Sequence, residues 1–360
     1  MKTGTLLLTF SLSFAFAACG GGDSKPSGAG KSAGGDSAAN SAKSGGDSAA
    51  KTSPKGSATT KPKKRVRRPK INMTMVKALM ANETTAPEAP VASSEALVAL
   101  GNKLYHWDGL SADGSMSCAS CHDLSNYGVD GKKTSGMAHG AAFARNTPTT
   151  YNAHRQYAQF WDARGQAVEH GLKDAAGVVE KCKGEASVAE MFGKAFAGQD
   201  EAVTADNAGI AIGAFVRTLV TRSKWDDFLD GNKKALSNEE LVGLNKFMEV
   251  GCTTCHMNRA LGGSLAQKLG VHTPYTGEDT GRMKMTGAET DKYMFKVPTL
   301  LNVEKTAPYY HDGSYATLEE AVKHMAKVQL AKDLKDEEVA SIVTFLKALT
   351  GPLPEAFAKK

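Results

Sequence analysis

No apolar run in this chain is long enough to cross a membrane. The stretch from Leu6 to Ala18 ends at Cys19 and Gly20-Gly21-Gly22, short of the roughly 20 residues a spanning helix needs. Alternating apolar and polar residues never run far enough to demand a sheet. Large apolar side chains are nearly absent between Gly20 and Ile71, so that segment cannot bury enough surface to offset its ordering entropy. No cluster of carboxylates marks a hard-cation site. Cysteine is scarce, with six in 360 residues, and four of the six fall in two short repeats.

Those repeats are Cys118-Ala119-Ser120-Cys121-His122 and Cys252-Thr253-Thr254-Cys255-His256. Both are C-x-x-C-H, the attachment signature of a c-type haem. Each thiol can add across a haem vinyl group, and the adjoining histidine then reaches the iron as proximal ligand. Two C-x-x-C knuckles could instead share a zinc ion, but zinc modules keep their halves close in sequence. A thioredoxin-like dithiol needs a βαβ context that the chain does not show. The working premise is two covalent haems on Cys118, Cys121, His122 and on Cys252, Cys255, His256.

Lys2, the short apolar core and the small residues before Cys19 describe a secretory signal over residues 1–18. Phe16-Ala17-Ala18-Cys19 resembles a bacterial lipobox, which makes Cys19 an acylated residue and the protein a periplasmic, membrane-anchored lipoprotein. A plain signal peptide cut near Ala18 is the alternative. Residues 19–92 read as a disordered Lys/Gly/Ser-rich linker. Residues 1–92 hold 14 Lys+Arg and 5 Asp+Glu, a net of +9, which leaves −3 for the rest of a chain whose total is +6. The basic run Lys61 to Lys70 suggests contact with anionic head groups or cell-wall polymers, beside the simpler reading of a solvated linker. Export argues against nucleic acid as its partner.

The remaining residues suffice for two domains, and the pentads divide them at 93–235 and 236–360. Leu97, Leu100 and Leu104 recur at helical spacing before the first pentad. Ser237 with Glu240 makes a capping box before Leu241, Leu244, Phe247 and Met248, and Thr317 with Glu320 makes another further on. The expected fold is all-α, two cytochrome c-like haem domains preceded by a disordered tether. Reactivity then depends on the second axial ligand. Met325, on the helix after Thr317, and its neighbour His324 are candidates for the second haem. Met137, His139 and His154 are candidates for the first, where a ligand on the glycine-bearing loop 130–140 could leave the iron.

From Leu100 onward the chain resembles a known family. The stretches Leu110 to His122, Arg145-Asn-Thr-Pro148, Phe160-Trp-Asp-Ala-Arg164, Phe295-Lys-Val-Pro-Thr-Leu300 and Asn302 to Gly313 are similar, in order, to the bacterial di-haem cytochrome c peroxidases. The resemblance implies reduction of hydrogen peroxide to water with electrons from a small cytochrome c or cupredoxin, in a homodimer. It implies His139 and Met325 as distal ligands of the first and second haem, and Trp161 on the electron route between them. It also implies calcium held by the Asn146 side chain and the carbonyls of Thr306 and Pro308, and it matches His311 to a histidine of the interface region whose role stays open.

The family's proton-shuttling glutamate best matches Glu180 if one residue is deleted in this loop, with Glu169 as the runner-up. The family's glutamine ten residues after the tryptophan is here Gly171, a departure that removes a donor from the distal pocket unless His170 or Gln166 replaces it. Cys182 reads as a small packed residue. Two other functions remain open. One is a di-haem oxidase of a protein substrate, which the resemblance disfavours because such members carry tyrosine in place of Met325. The other is a non-catalytic di-haem electron-transfer cytochrome.

Overall fold

The computed structural model describes residues 67–83, 86–111, 113–136, 145–169 and 177–358. All of them belong to one of the chain's two compact units, Lys63–Lys360. The signal segment, Cys19, most of the linker, Met137, His139, His170 and Gly171 lie outside the described residues. Among those residues no helix is long and apolar enough to cross a membrane.

The body is mostly helical. In chain order the helices are α1 Met73–Met80, α2 Glu95–His106, α3 Val178–Gly184, α4 Ala186–Ala195, α5 Ala205–Thr218, α6 Lys224–Leu229, α7 Asn238–Val250, α8 Met283–Thr286, α9 Leu318–Leu330 and α10 Asp336–Lys347. The caps explain several starts. The Ser94 hydroxyl accepts from Leu97 N–H at 3.2 Å, opening α2. Ser237 with Glu240 and Thr317 with Glu320 form the expected capping boxes of α7 and α9, each satisfying orphan donors of a first turn.

Two strands depart from an all-α expectation. β1, Ala266–Lys268, pairs antiparallel with β2, Met294–Lys296, in the register Ala266↔Lys296. Three residues are too few to write a period-2 pattern into sequence.

The unstructured linker expected over 19–92 does not reach its far end. α1 stands within it, opened by the Asn72 side chain accepting from Met75 N–H at 3.0 Å. Val76 and Met80, one turn apart, are fully buried. Their burial in a core built mainly from far downstream decides the matter, and the polar composition around them hides it.

Two apolar cores form. Leu97, Leu100 and Leu104 of α2 meet Phe192 of α4 and Ile212, Phe215 and Leu219 in and after α5. Trp225, Leu241, Leu244 and Phe247 meet Ile342, Phe345 and Leu346 of α10, with Val76 and Met80 added from α1. The changeover falls between Leu219 and Trp225, ahead of the division expected at 235/236, and Leu353 and Phe357 return to the first core. Glycines let the helices cross closely. A Cβ on Gly101 would lie 1.9 Å from Ala211 O, and one on Gly243 would lie 2.1 Å from Ser341 O.

Two segments are built alike. Asn152 and Asn302 have φ of 57° and 62°, and their amides donate to Leu219 O at 2.8 Å and Leu349 O at 3.1 Å. Downstream, Gln159 bridges Gly165 as Tyr309 bridges Tyr315. Phe160 and Ala163 take φ of 64° and 56°, and Tyr310 and Gly313 take 74° and 61°. Trp161 and His311 therefore hold corresponding positions. Their rings meet edge to face with centroids 6.4 Å apart.

Candidate functional site

Each pentad folds as a 3-10 turn, Cys118–Ser120 and Cys252–Thr254. The turn folds the histidine back over its first cysteine: His122 N–H donates to Cys118 O at 2.8 Å and His256 N–H to Cys252 O at 3.0 Å. Gly251, with φ of 102°, ends α7 and aims the second turn, a conformation that glycine adopts without steric cost.

Both imidazoles are prepared as ligands. His122 Nδ1 lies 3.1 Å from Gly128 O and His256 Nδ1 lies 2.9 Å from Leu261 O. Such a bond assigns the proton to Nδ1 and leaves Nε2 to bind a metal. Burial lowers the pKa of both rings, which keeps them neutral. The four pentad cysteines are free of disulfides, and burial raises the pKa of all four, to about 11 for Cys118 and about 12 for Cys252.

At the second pentad the structure gathers the expected residues around one largely apolar cavity of about 240 Å³. Cys252, Cys255 and His256 line it with Phe247, Leu346 and Met325. His324 instead packs its ring on Tyr315 and Tyr310, at centroid distances of 4.8 and 5.6 Å. Met325, which sequence alone could not separate from His324, is the one facing the cavity. Asn146, Thr306, Pro308, Trp161 and His311 also line it. Asn146 Nδ2 donates to Lys132 O at 2.7 Å, so its amide oxygen is the atom turned to other partners. Among the described residues no three or more His, Cys, Asp or Glu side chains group to hold a metal, and the expected calcium set uses none of these types.

Trp161 is held by its Nε1–H, which donates to Asn146 O at 2.9 Å, and by its own carbonyl, which accepts from Lys296 N–H at 2.7 Å. Lys296 belongs to one of the family stretches but was not singled out from sequence. It is 4 % exposed, lines the cavity, and donates to Gln156 Oε1. Burial pushes its ammonium down to about 7. Among the described residues Lys296 makes no ion pair, so burial favours its neutral amine unless an anion joins it.

Around the first pentad the structure describes less. The Tyr105 hydroxyl donates to His122 O at 2.7 Å, tying α2 to the turn. Glu180 is exposed in the first turn of α3, and Gln166 is exposed too. The Glu169 carboxylate is largely buried, with Oε1 2.9 Å from Arg217 Nε and Oε2 enclosed without a partner. His154 has its Nδ1 buried without a partner, and burial, with Arg155 and Arg217 adding to it, lowers the ring to about 4. Cys182 is fully buried in the first core.

A cluster of ion pairs lies beside Trp161. Arg145 binds Asp279 through Nε at 2.6 Å and Nη2 at 2.9 Å, and binds Asp162 through Nη1 at 2.6 Å. Arg164 adds a contact of 2.7 Å to Asp162. Burial works against ionisation of Asp279, but the Arg145 bonds, the Gly281 amide and the charges of Arg145 and Lys284 outweigh it and hold the carboxyl at about 2.

Comparison with known proteins gives a consistent answer. A family model described as di-haem cytochrome c peroxidase matches residues 95–234. The chain is 42% identical over 294 residues to the cytochrome c551 peroxidase of Nitrosomonas europaea, covering 77% of this chain and 87% of that one. It is 36% identical over 274 residues to the cytochrome c551 peroxidase of Pseudomonas aeruginosa, covering 71% and 79%. Among solved structures it is similar to a MauG-like protein associated with microbial copper homeostasis, at 25% identity and a TM-score of 0.64, covering 77% of this chain and 94% of that one.

Proposed function

Since the chain belongs to the di-haem cytochrome c peroxidase family and is a peroxidase oxidoreductase of that family, we propose that it reduces hydrogen peroxide to water with electrons from a small soluble donor that enter beside the second pentad. When bound, two haem c groups supply the iron that meets peroxide and the redox couples that hold electrons. The residues present fit them, with neutral buried imidazoles, free thiols, an apolar cavity and the Lys296 cation suited to a haem carboxylate.

The roles follow residue by residue. Cys118, Cys121, Cys252 and Cys255 tether the groups, and His122 and His256 ligate through Nε2. Met325 would offer the second haem a thioether, a soft ligand suited to electron relay. His139 would hold the first haem as a removable ligand, and that haem would supply the site for peroxide. Glu180 moves a proton from the inner to the outer peroxide oxygen, with Glu169 as the rival. Trp161 carries electrons between the sites. The Asn146 amide oxygen and the carbonyls of Thr306 and Pro308 hold calcium, an all-oxygen set as that ion requires. The core that ends at Leu219 belongs to the peroxidatic domain, and the core that begins at Trp225 belongs to the electron-entry domain. The lipobox at Cys19 supports a periplasmic, lipid-anchored enzyme.

The observation that carries this reading is the cavity shared by His256, Met325 and Trp161. A thioether, an imidazole and an indole on one apolar cavity support a relay between them. The test is to reduce the purified di-haem protein by one electron with calcium present, follow the haem spin state, and add peroxide with a reduced small cytochrome. A high-spin haem and peroxide turnover are expected. Two haems that stay six-coordinate and turn over no peroxide would reduce the protein to an electron carrier.

A further inference from the structure

His311 and Tyr275 have no part in the chemistry above, yet they extend it. Beyond Trp161 the aromatic rings continue. The His311 ring meets the indole edge to face and stacks on Phe295 at 4.2 Å between centroids. Tyr275 stands against His311 with centroids 5.5 Å apart, and its hydroxyl oxygen is 3.1 Å from His311 Nε2. Tyr293 follows, edge-on to Tyr275 at 5.2 Å. Both tyrosines are partly exposed. The Asp279 carboxylate lies 4.0 Å from His311 Nε2.

A phenol gives up an electron readily only if its proton has somewhere to go. A tyrosine hydroxyl bonded to an imidazole nitrogen supplies that place, since a neutral ring accepts there. Burial, with Asp312 and Asp279 adding to it, raises the Tyr275 pKa, so the residue starts as the neutral phenol. Contact between successive rings provides the electron path.

We propose that Tyr275 is a one-electron redox residue, which draws oxidising equivalents from Trp161 and passes them through Tyr293 to a small phenolic reductant at the surface. The inference rests on the peroxidase reading, because hydrogen peroxide is the oxidant. Hydrogen peroxide takes two electrons to become water; when the donor has replaced one of them and not the other, the missing electron is drawn from Trp161, which is left one electron short. Tyr275 returns that electron to the indole, its O–H bond breaks, and the proton passes to His311 Nε2, leaving a tyrosyl radical. Tyr293 then reduces this radical, the proton returns from His311 to the Tyr275 oxygen, and Tyr293 releases its own proton to water. A dissolved phenol gives one hydrogen atom to Tyr293 and leaves as a phenoxyl radical.

The test treats the haem-loaded protein with one equivalent of hydrogen peroxide and a nitroso spin trap, without donor, and maps the adducts by peptide mass spectrometry. The expected result is an adduct on Tyr293 in the wild type, its loss in Tyr275→Phe, and an adduct on Tyr275 in Tyr293→Phe. Peroxide turnover with a reduced small cytochrome, measured in parallel, is expected to be unchanged in both variants. Wild-type turnover with no adduct on either tyrosine overturns this inference alone, as does an undiminished Tyr293 adduct in Tyr275→Phe. Absent turnover in the wild type overturns the peroxidase reading itself. The haem absorption spectrum and far-UV circular dichroism of each variant establish that it is folded.

Discussion

Replacing Asp279 with asparagine should cost stability in a manner that depends on pH. The Asp279 side chain is 11% exposed and takes two bonds from Arg145. Its carboxyl is held at about 2 against an ordinary 3.8, a difference corresponding to about 2 kcal/mol of folding free energy. The folded pKa is depressed. The contribution is therefore complete above the unfolded value, near pH 4, and is lost as pH falls through about 2. An asparagine side chain imitates the protonated acid at every pH. At pH 6 the Asp279→Asn protein should be about 2 kcal/mol less stable than wild type, and at pH 3 the gap should shrink to about half, on the same linkage relation. The assay is urea unfolding of both haem-loaded proteins across that range, followed by far-UV circular dichroism. A gap that is constant with pH, or absent at pH 6, would refute the reasoning, because the Arg145 clamp would then have no electrostatic share in holding Asp279.

Three further outcomes can be checked directly. Gly243→Ala places a methyl group 2.1 Å from Ser341 O, so α7 and α10 must separate, and urea unfolding should show a loss of about 1–3 kcal/mol; an unchanged midpoint would mean the helices have room to spare. The double change Cys252→Ala, Cys255→Ala should halve the covalent haem per chain by pyridine haemochrome assay and mass spectrometry, whereas full haem content would disprove the second attachment. Glu180→Gln should slow peroxide turnover by about a hundredfold or more with both haem spectra intact. Normal turnover in that protein, with loss in Glu169→Gln, would transfer the proton to Glu169.

Chemistry written in local order was the legible part. The pentads, the capping boxes at Ser237 and Thr317, and the apolar stripe of Leu97, Leu100 and Leu104 each depend on neighbours within one or two turns, and spacing displays them directly. Met325 could be proposed but not separated from His324, because adjacent helical residues differ by about 100° around the axis and only packing shows which one faces the cavity. α1 was missed because its stability comes from the burial of Val76 and Met80 against a core formed by distant residues. The Lys296 cation and the Arg145 cluster were invisible for a related reason. Burial and a partner 134 positions away leave no trace in composition. The rings of Tyr275 and Tyr293 lie in a stretch that carries no motif.

The matching backbones around Trp161 and His311 bear on descent. The same local frame stands twice in the chain, and the rings at its matching positions touch edge to face. Trp161 and His311 then read as one ancestral site that diverged after duplication. One copy kept a ring that can lend an electron, and the other took a ring that can receive a proton.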